Sequence, residues 1–332
     1  LSAATYDVVA IGNAIVDVLS KADDAFIAQE GLVKNTMQLL FSTEAAEALY
    51  AKMAPGIEVS GGSAANTVAG IAALGGKCGF IGQVADDQLG KVFSHDIRAQ
   101  GVTFTTTART EADPTTARCL ILITPDGHRT MNTYLGASQF LPAAALDRDM
   151  IAAGAILYLE GYLWDPAEPR AAMREAIRIA RDAGRKVAFT LSDTFCISRH
   201  RDDFLKLIDD GDIDILFANE AEILSLTLLD DFDKAVAKVA EKLPVLVCTR
   251  SEHGAIAVKD GERFTVPAQP VDAVVDTTGA GDLFAAGFLA GQAQGRSVEA
   301  SLTMGAVCAA EIISHVGARP QVDLKELVAK AL

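Results

Sequence analysis

The sequence predicts an α/β fold: a central, mostly parallel sheet with helices on both faces, and a smaller β-rich layer beside it. Three observations predict it. Short apolar runs alternate with helical stretches through the C-terminal two-thirds, as in parallel βαβ units whose strands are buried on both faces. Two further runs flank Asp260-Gly261, a hairpin signal expected at a sheet edge. The N-terminal third interrupts the alternation twice with β-rich pieces, which suggests a lid.

In chain order, Tyr6–Ile11 reads as a core strand. Ser42–Met53 reads as a helix inside the first β-rich insertion, about residues 14–59. Ala65–Leu74 is helical. The second insertion, about residues 103–135, carries alternation through Cys119–Ile123 and a turn at Pro125-Asp126-Gly127. Ala155–Leu159 is a strand. Ala171–Ala183 is an amphipathic helix with Met173, Ile177 and Ala180 on one face, stopped by Gly184. Lys186–Leu191, Ile213–Ala218 and Val245–Thr249 read as strands, separated by helices at Asp202–Ile208 and Asp233–Leu243. Ala255–Lys259 and Arg263–Val266 form the hairpin. Gly281–Gln294 and Val298–Ser314 are the last long helices.

With no repeat, linker or compositional break, the 332 residues read as a single domain, 1–332, carrying a lid. Apolar residues make up 50% of the chain, enough for a sizeable core. Lys and Arg number 29 against 44 Asp and Glu, a net charge of −15. That balance argues against nucleic-acid partners and anionic membranes, though not against a small anion held by backbone amides. Five cysteines lie far apart without a C-x-x-C pair, as expected of reduced thiols. No signal segment or membrane-length apolar span is read, so a cytoplasmic location is expected.

Five motifs carry candidate chemistry, each at a strand end or helix start. Asp276-Thr277-Thr278-Gly279-Ala280-Gly281-Asp282 feeds into an apolar helix whose first N–H groups and dipole favour an anion. Asp282 beside that anion site is suited to accept a proton from an attacking hydroxyl. Gly61-Gly62-Ser63-Ala64-Ala65-Asn66 opens a second helix, and Asn66 can donate to and accept from a ligand hydroxyl. Asn13 and Asp17 follow the first strand, where ligands bind in open α/β sheets. Asn219 and Glu222 share a helix face and suit a hydrated Mg²⁺. Thr249, Arg250 and Gly254 follow another strand and suit nucleotide phosphates. Each motif also has a plainer reading: a tight turn, a helix cap, a capping box at Asn219–Glu222, or a surface loop.

Taken together, from the first strand to about Gly317, these motifs resemble the ribokinase-type (phosphofructokinase B) family of carbohydrate and nucleoside kinases. The resemblance implies a ribokinase-like sheet with a lid and a different phosphate cradle from the P-loop, whose motif is absent. It implies that Asp282 is the catalytic base and that the amides of Gly279, Ala280 and Gly281 form the anion hole. It makes Asn219 and Glu222 the Mg²⁺-organising pair, acting through water. Asn219, Thr249, Arg250, Gly254 and Thr278 would lie along ATP. Asn13, Asp17, Gly61, Gly62 and Asn66 would bind the acceptor's hydroxyls. Asp276 and Thr278 fall where members activated by monovalent ions hold K⁺.

Within the family, the insertion Asp24–Leu40 is similar to the lid segment of adenosine kinases. Met37, Arg129, Met131, Leu135 and Tyr162 fall where those enzymes line the purine. The implied reaction is ATP-dependent phosphorylation of a primary hydroxyl, the 5′-OH of adenosine foremost. A sugar kinase of ribokinase or fructokinase type, and a non-catalytic nucleoside- or sugar-binding protein, are the alternatives. An NAD-linked oxidoreductase lacks its glycine fingerprint. The expected partners are small molecules, with the chain a monomer or a homodimer.

Overall fold

A computed structural model describes residues 3–332; Leu1 and Ser2 lie outside the described residues. Fourteen strands build two sheets among them. They are β1 (Tyr6–Ile11), β2 (Ile15–Lys21), β3 (Met37–Leu40), β4 (Gly56–Gly61), β5 (Cys78–Ile81), β6 (Val102–Phe104), β7 (Ala117–Ile123), β8 (Arg129–Tyr134), β9 (Gly154–Glu160), β10 (Lys186–Thr190), β11 (Ile215–Asn219), β12 (Val245–Thr249), β13 (Ala255–Lys259) and β14 (Glu262–Val266). The large sheet has the order β14-β13-β12-β11-β10-β9-β1-β5-β6. It is parallel from β12 to β6, and β13 and β14 close one edge as the predicted antiparallel hairpin.

The large sheet is covered on both faces because its strands are apolar on both. In β1, Val8 and Ala10 join one core layer while Val9 and Ile11 join the other. The first layer takes in the helices Ser63–Ala73, Gln88–Ala99, Ala280–Ala293 and Val298–Ile313. The second takes in Ala167–Asp182, Thr194–Asp209 and Phe232–Ala240. Trp164 sits in the second layer at 0% exposure, edge-on to Phe189 and Phe204, with its Nε1–H donated to Asp203 at 2.9 Å.

The small sheet has the order β3-β8-β7-β2-β4 and forms the lid layer. Only residues 12–14 separate β1 from β2, and only Gly62 separates β4 from the helix Ser63–Ala73. Two predictions change here. Val102–Phe104 pairs with β5, so the second segment enters the lid only from Ala117. Through Cys119–Ile123 the predicted alternation is absent: residues 117–122 are all buried, because β7 is central in the lid and covered on both sides. The helix predicted at Asp202–Ile208 runs over Thr194–Asp209, with non-helical backbone at His200. All five cysteines are free and buried. Among the described residues no helix is long and apolar enough to cross a membrane.

Candidate active site

A cleft of about 680 Å³ lies between the two sheets at the carboxyl ends of the parallel strands. Adjacent strands deliver their last residues to it in register: Glu160 beside Thr190, and Asn219 beside Thr249. The lid supplies the other wall. Its register aligns Asp17, Cys119, Thr133 and Leu39 across four strands, and the two-residue period adds Ile15, Met131 and Met37.

The helix Ala280–Ala293 points its N-terminus into the cleft. Gly279 caps it with φ of 80°, a left-handed conformation that glycine adopts without steric cost. Among the described residues the N–H groups of Gly279, Gly281 and Asp282 have no partner, as the first turn of a helix requires. The expectation for Ala280 is corrected: its N–H donates to the Thr277 carbonyl at 3.1 Å and is unavailable to an anion. Around Gly281 a Cβ would meet nothing within 4 Å, so the space above this turn is open.

Asp282 is fixed from the second glycine motif. Ser63 donates to its Oδ1 at 2.6 Å, and the Asn66 amide donates to its Oδ2 at 2.9 Å. Burial raises the Asp282 carboxyl above its ordinary value, against those two hydrogen bonds and the charge of Arg319. Asp17 lines the cleft from within β2, and its carboxylate has no hydrogen-bond partner among the described residues. Burial raises it to about 6, with Asp282 adding to the rise and Arg319 and Arg129 opposing it. Gly61 lies behind this carboxylate rather than in the cleft: a Cβ there would come within 2.4 Å of Asp17 Oδ2. Gly62, with φ of 97°, would bring a Cβ within 2.2 Å of the Asn13 carbonyl.

Sequence reasoning missed Glu160. It is fully buried, accepts from the Asn13 N–H at 2.7 Å and the Asn13 amide at 2.8 Å, and accepts from the Ala64 N–H at 2.8 Å. It therefore clamps the turn after β1 onto the start of the helix Ser63–Ala73. The available signal was a carboxylate closing an apolar strand. Asn13 is engaged at both ends of its amide, since Ser138 donates to its Oδ1 at 2.8 Å. Asn13 thus shapes the loop while still lining the cleft, with a second amide hydrogen and a second lone pair left over. The cleft also gathers Asp165, Asp193 and Phe195 and a single guanidinium, Arg199, none of them predicted.

Asn219 and Glu222 face the cleft, and they also form the capping box that was the plainer reading. Burial pushes the Glu222 carboxyl up to about 7. Thr249 lines the cleft, whereas Arg250 and Gly254 do not. Arg250 pairs with Glu220 at 3.1 Å and stacks on Phe232 at 4.2 Å. Gly254 is required by its own backbone, where a Cβ would come within 2.1 Å of the Val266 carbonyl. Met37, Met131, Leu135, Tyr162 and Thr278 line the cleft, and Arg129 does not. Arg129 instead forms a buried ion pair with Asp276 at 2.7 Å. Asp276 also accepts from the N–H groups of Thr278 at 3.0 Å and Gly317 at 3.1 Å. The Asp276 carboxylate is thus paired with a guanidinium, and the K⁺ expectation concerns chiefly the backbone carbonyls of Asp276 and Thr278.

Three buried carboxyls carry a pH signature. Asp17 is raised to about 6, and burial likewise raises Glu160 to about 7 and Glu222 to about 7. A carboxyl raised in the fold binds its proton more tightly there than in the unfolded chain. Its stabilisation is complete below the unfolded value near 4 and is lost as pH rises through 6 to 7. The ligand-free protein should therefore melt several degrees higher at pH 5.5 than at pH 8. Calorimetry at fixed ionic strength checks this, and a melting temperature that rises with pH would contradict it.

Comparison with known proteins adds the following. The model of the pfkB family carbohydrate kinases matches residues 44–324. The crystal structure of adenosine kinase from Sinorhizobium meliloti is 48% identical, with a TM-score of 0.90 over 99% of this chain and 100% of that one. That of a probable sugar kinase from Rhizobium etli is 47% identical, with a TM-score of 0.90 over 99% of both. A fructokinase from Klebsiella pneumoniae is 30% identical over 71% of this chain and 78% of its own length.

Proposed function

The chain belongs to the pfkB family of carbohydrate kinases and is a phosphotransferase with an alcohol group as acceptor, and from that premise we propose that its acceptor is the 5′-hydroxyl of adenosine. The observation that carries this reading is the chemistry of the lid wall. Met37 and Leu39 are 56% and 46% exposed and, with Met131, Leu135 and Ile15, turn apolar surface toward the cleft. Across from them Phe195 is 70% exposed. A flat base gains by covering such surface, whereas a free hexose brings hydroxyls to every side. Beside the apolar wall stands Asp17, an acceptor without a donor, suited to a ribose diol. The Sinorhizobium relative is named for adenosine, which supports the same reading.

The reaction follows from the residues around Asp282. Its carboxylate accepts the proton of the acceptor hydroxyl as the oxygen attacks the terminal phosphorus of ATP. The free N–H groups of Gly279 and Gly281, at the positive end of the helix, stabilise charge on the transferring phosphoryl oxygens. Glu160 and Asn13 hold the loop that presents the acceptor. Members of this family typically use Mg²⁺ with ATP, and the ion neutralises phosphate charge when bound. Asn219 and Glu222 fit it, being hard oxygen donors at the cleft, and their capping box leaves lone pairs for contact through water.

Sugar acceptors are the second reading, favoured by the Rhizobium and Klebsiella relatives. A panel of adenosine, inosine, D-ribose and D-fructose with ATP and Mg²⁺, followed by ADP release, separates the two. The expected kcat/KM for adenosine exceeds that for either sugar by at least about 100-fold, because the sugars leave the apolar wall uncovered. Faster turnover of fructose or ribose than of adenosine would overturn the nucleoside assignment.

A further inference from the structure

A residue outside the cleft reaches one of the side chains that hold Asp282. Arg319 lies in the loop after the helix Val298–Ile313, and its Nη1 donates to Asn66 Oδ1. Its Nη2 donates to the Ser60 carbonyl and, at 3.0 Å, to Ser60 Oγ, while Nη1 also reaches the Ala318 carbonyl at 3.2 Å. Arg319 therefore joins the C-terminal loop, the last turn of lid strand β4 and the helix that carries Asn66. The side chain is not among those lining the cleft.

Asn66 stands between a group that only donates and a group that only accepts. Arg319 can engage only the amide oxygen, and ionised Asp282 can engage only the amide nitrogen. The two ends of a carboxamide are nearly identical in shape, so packing alone does not choose between them. Turned over, the amide would set its oxygen against Asp282 Oδ2 and its NH₂ against a guanidinium, an arrangement unfavourable at both ends. We propose that Arg319 is a positioning residue for phosphoryl transfer, locking the Asn66 amide so that it holds Asp282 in the orientation that receives the acceptor's proton.

This proposal rests on Asp282 being the base. It has an electrostatic corollary. Asp282 interacts with Asp17 on β2, with Glu160 and Tyr158 on β9, and with Tyr162 just beyond. Among the charged groups described as acting on Asp282 itself, Arg319 is the positive one. Arg319 also acts on Asp17, together with Arg129. Removing its charge leaves both carboxyls harder to ionise.

The test uses three variants, assayed with adenosine, or with D-fructose if adenosine is not turned over. Arg319→Met should lower kcat by about 10- to 100-fold, leave the KM for ATP within about twofold, and move the acid limb of the kcat profile up by about one pH unit. Arg319→Lys keeps the charge without the fork. It should hold the acid limb within about 0.3 unit of wild type while still losing turnover. Asp282→Asn should lower transfer by at least about 10²-fold in either background. A ¹³C carboxyl titration of Asp282 in the free protein reads the same shift without turnover. Wild-type kcat and an unmoved acid limb in Arg319→Met, with Asp282→Asn impaired, would overturn the positioning role and leave the base standing. Near wild-type turnover in Asp282→Asn would instead overturn the base. If Arg319→Met does not fold, Arg319→Lys decides: wild-type turnover there sinks the proposal.

Discussion

Asp282→Asn should lower turnover by at least about 10²-fold, while ATP still binds with near wild-type affinity. The substitution keeps the shape of the side chain, and Ser63 can turn its hydroxyl to suit either atom. What disappears is the capacity to take a proton from the attacking hydroxyl. Transfer then relies on positioning and on the helix N-terminus alone. ADP release measures the turnover, and calorimetric titration with ATP measures the binding. A variant within about threefold of wild-type kcat would remove Asp282 from the role given to it.

The second large effect separates two glycines with a single residue between them. Gly281→Ala introduces a methyl that no protein atom opposes within 4 Å, in a helical turn where Ala is intrinsically favoured over Gly. The melting temperature should stay level or rise. Turnover should fall by about 10²-fold, because the methyl occupies the space over the free N–H groups where a phosphoryl group must approach. Gly279→Ala behaves in the opposite sense. Its φ of 80° penalises any side chain, and the new Cβ would lie 2.8 Å from Ala318 Cβ, so a loss of about 2 kcal/mol in stability is expected. Melting curves and kcat for the pair check both signs. Full activity in Gly281→Ala would show that phosphate does not use this turn.

How much of this was legible depends on how local the cause is. Strands β9 to β12 were readable because burial on both faces leaves continuous apolar runs. The helix Ala280–Ala293 was readable from the glycine turn that opens it. Strand β4 was not: its burial runs from exposed to buried along its length without alternating. The helix Gln88–Ala99 went unread although Asp87 caps it and Leu89, Phe93 and Ile97 line its buried face. At the site, Asp282 and Asn66 were found because each sits in the first turn of a helix, and Asp17 because it follows closely on the first strand, although it lies inside β2. Glu160 and Arg319 were not. Arg319 meets Asn66 across 253 residues of sequence, and only the fold brings them together. Arg250 and Gly254 illustrate the reverse case, where residues of suitable type after a strand are engaged by their own neighbourhood.

The passages between the sheets carry a mechanical consequence. The chain crosses from the large sheet to the small one within residues 12–14 and returns through Gly62; it crosses and returns a second time through the longer connections 105–116 and 135–153. The two short crossings are thus built from residues beside Asn13, Asp17 and Asn66. The pivot and the grip share the same backbone. An outward swing of that wall about the two short crossings would loosen the hold on a bound alcohol in the same stroke.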